Sequence, residues 1–412
     1  MEDGSGACAF LAKAAAALTV FSLLPVAFGG TAPSHAPSAL LPISLEGLGA
    51  GPFAVPTSEP SVDWATGLFA SFTYHEGQVV GSYVQFGYDE TYGGTVTTLL
   101  ARQAWPPITF LPTLRIEAFI PTDRPSAQGP IFEAPGYLVD VIAHDDPTGL
   151  LEVRTEGVSR TVWIDLPPTA TNLSQANTPG SWPASRLTYT LEGEQARFLL
   201  GRGSFVVEGT KVVATMSSFD LLLFRMVPAQ SSQKAEWKAI FDAIGTGAVV
   251  AEVDLVARPS GGWMANRAHY RIDVTTTPVE VAPRKASVRV DSSHADAAVV
   301  LLGFDNDTMP LANESRLQVR ANGVDVTPVT DTLSLFYAPE AKRDKPMYSI
   351  LPLPGTVLAV YVPTLSSVDL EVQSVPPPPP PEYLGPGSQA AMVAALAVVS
   401  LAAAVMFRRR AA

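Results

Sequence analysis

Few residues in this chain are able to do acid–base or metal chemistry. There are five histidines: His35, His75, His144, His269 and His294. No two have the spacing of a helical zinc site, which points away from a zinc hydrolase. His75-Glu76 and His144-Asp145-Asp146 set carboxylates beside imidazoles. Neighbours on a strand point to opposite faces, so adjacency alone pairs nothing. Asp145-Asp146-Pro147-Thr148-Gly149 reads as a turn between two strands, with Pro and Gly setting the backbone. The competing reading is a site in which Asp140 or Asp145 works with Glu152 as a pair of carboxylates in a cleft. Asp305-Asn306-Asp307 clusters oxygen ligands of the kind calcium takes, and makes Asp305 and Asp307 candidate ligands. It lacks the spacing and closing glutamate of an EF-hand, and a solvated loop is the other reading. There is no G-x-S-x-G elbow, no P-loop and no dinucleotide glycine pattern. Gly201-Arg202-Gly203-Ser204 precedes a strand and reads as a turn. The sequence therefore predicts no catalytic residue, no cofactor and no enzyme. Asn172, Asn306 and Asn313 each open an N-x-S/T triplet in loop-like sequence and are glycosylation candidates.

Charge narrows the partners. Lys and Arg number 27 against 39 Asp and Glu, a net charge of −12. No basic stripe is present to displace counterions from phosphates, which excludes nucleic acid.

The elements that must position these residues are mostly strands. Short runs bounded by turn residues recur, among them Gly81–Tyr88, Thr95–Ala101, Leu114–Ile120, Tyr137–Ala143, Leu151–Thr155, Arg186–Leu191, Lys211–Met216 and Leu221–Met226. In Thr161–Leu166 the two faces are not cleanly split, which predicts burial on both sides. One helix is predicted near 232–244: Ser232 caps it, Trp237, Ile240, Phe241 and Ile244 form one apolar stripe, and Gly245 and Gly247 stop it. Strands resume at Ala248–Ala257 and His269–Thr275. A boundary is expected at Pro278 to Lys285, followed by strands that include Leu317–Val324 and Thr332–Tyr337. The fold class is mostly β: a β-rich domain over 61–280 and a β-sandwich-like module over 281–375.

The ends are apolar, and they account for much of a mean hydropathy of +0.20. Residues 1–30 have the order of a signal peptide, with Lys13, an apolar run from Ala14 to Phe28, then small residues. An Ala/Pro/Ser-rich lead-in covers 31–60. Six prolines from Pro376 open a stiff stalk over 376–389. Ala390 to Phe407 is an uncharged run of transmembrane length, and Arg408, Arg409 and Arg410 begin a cytoplasmic tail over 408–412. Cys8 is the only cysteine. It precedes the first apolar run, so the exported part is predicted to hold no disulfide, which suits a prokaryotic envelope.

The order of features resembles a group of uncharacterised archaeal secreted cell-surface proteins with a C-terminal anchor. The likeness is carried by Gly81-Ser82-Tyr83-Val84 with Tyr88-Asp89-Glu90, by His144 to Leu151, by Gly201 to Ala214, and by Phe224-Arg225 leading through Pro228 into the helix. The closing module and the tail, with Pro386-Gly387 before the span and arginines after it, are similar to theirs as well. The resemblance implies a single-pass membrane protein with its β-rich part outside the cell. Its partners would be the membrane, envelope proteins or surface glycans, in a structural, adhesive or ligand-contacting role. An anchored extracellular hydrolase or carbohydrate-binding protein is the alternative.

Overall fold

Alternation along the strands sorts the residues onto sheet faces, and the register of pairing sorts the strands into four sheets. The computed structural model describes residues 67–89, 91, 94–102, 107–178, 180–227, 234–258, 262–310 and 316–375. The expected signal peptide, lead-in, proline stalk, membrane span and tail, together with Ser232 and Asn313, lie outside them. Among the described residues no helix is long and apolar enough to cross a membrane.

The first sheet runs, in spatial order, Thr73–His75, Gln78–Val80, Val84–Asp89, Thr95–Ala101, Ile108–Ile116, Arg160–Asp165, Lys211–Met216 and Ser204–Glu208. The second runs Thr171–Asn177, Ser185–Leu191, Glu194–Leu200, Leu221–Met226, Leu151–Thr155, Val139–His144, Ile131–Gly136 and Ser126–Gln128. All pairings within these two are antiparallel. Phe86, Phe110 and Val162 of the first sheet meet Phe132, Phe198 and Phe224 of the second in one core.

The third sheet runs Trp263–His269, Val249–Ala257, Ala298–Phe304, Thr356–Val362, Met347–Leu351 and Thr327–Pro328. The fourth runs Val274–Ala282, Lys285–Ser292, Ser367–Val375, Arg316–Ala321 and Val324–Asp325. Val300, Leu302 and Val360 pack on Val288, Leu370 and Val372 between them. A further core joins the second sheet to the third, through Leu221 and Leu223 on one side and Val299 and Leu301 on the other. The four sheets are thus stacked face to face, and the inner two are covered on both faces. Leu221–Met226, Ala298–Phe304 and Thr356–Val362 are accordingly buried at every position.

The mostly-β reading holds. The helix spans Lys234–Gly245, buries the four predicted residues, and ends before Gly247 at φ +78°. It packs in the core between the second and third sheets. Arg197 fixes its last turn by donating to the Phe241 carbonyl (2.8 Å) and pairing with Asp242 (2.8 Å).

Three expectations change. The boundary near 280 falls inside the hairpin of Val274–Ala282 and Lys285–Ser292. The second sandwich begins at Val249, because Val249–Ala257 pairs in parallel with Ala298–Phe304, and parallel pairing over such a distance is invisible to local patterning. Thr332–Phe336 is a short helix capped by Asp331, not a strand. Arg160–Asp165 is buried on one face only; Trp163 lies outside that core, with the Arg115 guanidinium 4.5 Å above its ring.

Candidate functional site

The carboxylates that the sequence singles out are placed by one hairpin of the second sheet, Val139–His144 and Leu151–Thr155. Its turn is built as the Asp-Pro-Thr-Gly run suggests. Asp146 accepts from the Thr148 N–H (2.8 Å) and hydroxyl (2.6 Å), and Gly149 supplies φ +56°. Asp145 turns the other way. Its carboxylate accepts the backbone N–H groups of Ser82 (2.8 Å), Tyr83 (2.8 Å) and Val84 (3.0 Å), and so clamps the first sheet to the second. Gly81 leaves the room: a Cβ there would stand 2.2 Å from that carboxyl. Burial pushes Asp145 up to about 6, against those three donors. Asp140 is half-buried, raised by burial, and accepts from Gly136 at the end of the neighbouring strand Ile131–Gly136 (3.2 Å).

Glu152 and His144 project into the layer between the second and third sheets, and both are fully buried. Glu152 pairs with Arg154, whose Nε donates at 2.8 Å. His144 Nε2 stands 3.3 Å from the other Glu152 oxygen, at ion-pair distance without hydrogen-bond alignment. Its Nδ1 meets Asn266 Oδ1 at 2.6 Å. Burial opposes the charge on Glu152, yet Arg154 and His144 outweigh it and hold the carboxyl at about 2. Burial likewise opposes protonation of His144, and Glu152 overrides it upward. His269, whose Nδ1 meets Arg154 at 3.2 Å, is held by burial at about 4. Beside them Arg225 pairs with Glu252 (3.0 Å) and with the Tyr270 hydroxyl. Burial, then the charges of Glu252 and Asp146, raise Asp254 well above the usual carboxylate range.

These carboxylates do not converge on one pocket. Asp145 faces the first sheet, Glu152 faces the third, and Asp140 bonds within the second sheet. None of them lines either of the two large clefts. The other candidates are also apart. His75 and Glu76 are exposed at a turn. Asp305 accepts the Thr308 N–H (2.9 Å) in its own turn, while Asp307 is exposed. Among the described residues no group of three or more His, Cys, Asp or Glu is placed to hold a metal. Asn172 and Asn306 are exposed.

What sequence reasoning missed is a cleft of about 860 Å³ where the ends of the second sheet meet the loops of the second sandwich. Its walls include Trp182, Arg202, Arg271, Asp273, His294 and Asp296. Trp182 is half-buried against Gly201 and Gly247; a Cβ at Gly201 would come within 1.8 Å of its ring. Asp273 is held by Arg271 through two donors, at 2.9 and 2.6 Å. Ser292 donates to the same carboxylate at 2.9 Å, and His294 Nδ1 lies at 3.0 Å. Burial disfavours the carboxylate, but Arg271, Ser292 and His294 prevail and keep Asp273 at about 2. The signal for this cluster was register. Val274 pairs with Ser292, so the residues just outside that hairpin, Asp273 and His294, must meet.

No family model matches the chain, and no curated protein matches it. Among solved structures it is similar to a glycoside hydrolase family 81 protein from Clostridium thermocellum, at 9% identity and a TM-score of 0.24, over 73% of this chain and 34% of that one. The chain spans about a third of that protein's length, and a likeness at this score bears on neither fold nor activity.

Proposed function

We propose that the protein is a membrane-held extracellular surface protein whose β-rich part binds a ligand rather than converting it, with an adhesive or ligand-contacting role in a cell envelope. One observation carries the binding half of this reading: the two most buried candidate carboxylates of the hairpin at 139–155 are consumed in structural contacts. Asp145 is taken by three backbone donors and Glu152 by Arg154 and His144. In the open cleft Asp273 is likewise occupied, by Arg271, Ser292 and His294. A general acid needs a carboxyl raised toward neutrality, whereas the Asp273 carboxyl is held at about 2. Trp182, Arg202 and Asp296 instead make a half-polar wall of the kind that orients a small polar ligand.

Export and anchoring are supported by the apolar run from Ala14 to Phe28, the run from Ala390 to Phe407 and the three arginines after it. The likeness of those features to archaeal surface proteins supports an archaeal envelope as the setting. The test is fractionation of cells making the full chain, followed by protease treatment of intact cells. The protein is expected in the membrane fraction, with its β-rich part released from outside. Recovery in the soluble cytosolic fraction overturns the anchor. Turnover of glycan or peptide substrates by the detergent-solubilised chain overturns the binding reading.

A further inference from the structure

A second groove, about 630 Å³ in volume, lies at the other end of the hairpin made by Val249–Ala257 and Trp263–His269. Gly247 and Arg271 border the first cleft, while Arg258 and Trp263 border this one. Nine strand residues lie between, so the two are about 30 Å apart.

Three sheet edges converge on this groove. Ser126–Gln128 is an outer strand of the second sheet, Trp263–His269 of the third and Val274–Ala282 of the fourth. On the third-sheet edge, Met264, Asn266 and Ala268 turn inward and are buried, which leaves Trp263, Ala265 and Arg267 on the other face. Trp263 is 41% exposed, and among the described residues no cation covers its ring. Ala265, between Trp263 and Arg267, is half-buried against the core of the third and fourth sheets. Arg258 and Arg267 are exposed, and among the described residues neither guanidinium has a carboxylate at ion-pair distance. Among the described residues the Arg267 side chain makes one bond, a long one of 3.3 Å to the Thr276 carbonyl.

Charged residues on a strand edge serve in general to block edge-to-edge pairing, and one arginine would suffice for that. Two arginines around an open indole outnumber the one carboxylate of the lining, Glu133, and in a chain of net charge −12 they ask for an anionic ligand. We infer that this groove binds an acidic saccharide, a chain that carries carboxylate groups. The C–H face of a sugar ring lies on the Trp263 indole. A guanidinium fork takes a carboxylate through two parallel hydrogen bonds. Gln128 on the facing edge takes hydroxyls. With the rest of the protein acidic, the attraction is short-ranged, and added salt weakens it.

The probe is a galacturonate oligosaccharide titrated into the detergent-solubilised full chain by calorimetry. A neutral malto-oligosaccharide and a single-stranded oligothymidylate serve as comparisons. Binding of the acidic sugar is expected. It should weaken about tenfold in Arg258→Gln and again in Arg267→Gln, the effect of losing one charged hydrogen-bonded contact each. Trp263→Ala should weaken it as well. All three side chains are exposed, so unchanged thermal midpoints report that the variants fold. His294→Gln, in the first cleft, should leave this binding unchanged; weakening in that variant with the arginine variants unaffected puts the sugar in the first cleft and overturns this inference while leaving the binding role proposed above standing. No binding of the acidic sugar, tighter binding of the neutral sugar or of the oligothymidylate, or binding indifferent to the two arginines overturns the inference.

Discussion

Glu152→Gln is the sharpest perturbation of the layer between the second and third sheets. It keeps the side chain's shape and removes its charge. The folded carboxyl is held at about 2, against an ordinary 4.5. A separation of roughly 2.5 units, at about 1.4 kcal/mol each, gives about 3 kcal/mol. Breaking a buried ion pair from one side costs about 3–5 kcal/mol in general. The lower end is expected here because Arg154 is partly exposed and can turn to water, while His144 cannot.

The dependence on pH is the discriminating part. The folded pKa lies below the unfolded one, so this stabilisation is complete above about pH 4.5 and fades as pH falls toward 2. His269 causes a separate acid-side loss in both proteins, and a larger one in the variant, because Glu152 is one of the charges that favour its protonation. Its folded value of about 4 lies below 6.5, so the unfolded chain takes up that proton first, between those two values. His144 acts in the opposite sense. Its raised value stabilises the fold below pH 6.5, and this is lost on the alkaline side. Urea unfolding of both proteins should show a gap of about 3 kcal/mol at about pH 7, and one at least as large at about pH 5, where the variant lacks the carboxylate that supports a protonated His144. The gap should shrink to about 1.5 kcal/mol at about pH 3. A gap below about 1 kcal/mol near neutrality, or one that does not narrow in acid, refutes an ionised Glu152 in the interior.

Asp145→Ala strands three backbone N–H groups, at about 1 kcal/mol each, so urea unfolding should show a loss of about 3 kcal/mol; a loss under about 1 kcal/mol contradicts the clamp. Gly201→Val drives Trp182 from its seat, and the tryptophan emission should shift in the wild-type background but not in a Trp182→Phe background. The Thr308 side chain is buried and accepts the Ala257 N–H at 2.7 Å, so the triplet at Asn306 is closed once folded, while Asn172 is open. Mass spectrometry of native protein should find glycan at Asn172 and little at Asn306; the reverse order refutes this. Because Asp305 already serves its own turn, chelator should leave the unfolding midpoint unchanged, and a fall of several degrees restores calcium at Asp305 and Asp307.

The legible parts of the fold are the local ones. The 3.6-residue stripe of Trp237, Ile240, Phe241 and Ile244 marked its helix, and the Asp-Pro-Thr-Gly run marked its turn, because each is decided by residues a few positions apart. The boundary near 280 misled because pairing of Val249–Ala257 with Ala298–Phe304 is settled by topology, not by composition. Thr332–Phe336 misled because an apolar run of five residues suits either a strand or a short helix, and Asp331 at its cap decided the matter. The cleft was illegible for a related reason. Asp273 and His294 are 21 positions apart and meet only through the register of the hairpin between them. The strand-flanking carboxylates were visible but their partners were not, so Asp145 and Glu152 looked available when backbone donors and Arg154 had taken them.

The charged layer between the second and third sheets also bears on how the clefts can work. Two apolar sheet faces slide over one another at small cost, since dispersion is non-directional. Three polar contacts prevent that here: His144 with Asn266 (2.6 Å), Arg154 with His269 (3.2 Å) and Arg225 with Glu252 (3.0 Å). Each joins one sandwich to the other, and a shift by one residue would turn a buried charge toward an apolar side chain. The layer therefore fixes the two sandwiches in a single register. Both clefts lie at ends of this layer and take one wall from each sandwich, so the polar contacts that hold the register also hold the walls apart. That is the form of rigidity a binding surface needs, because a ligand entering a preformed groove does not have to order it.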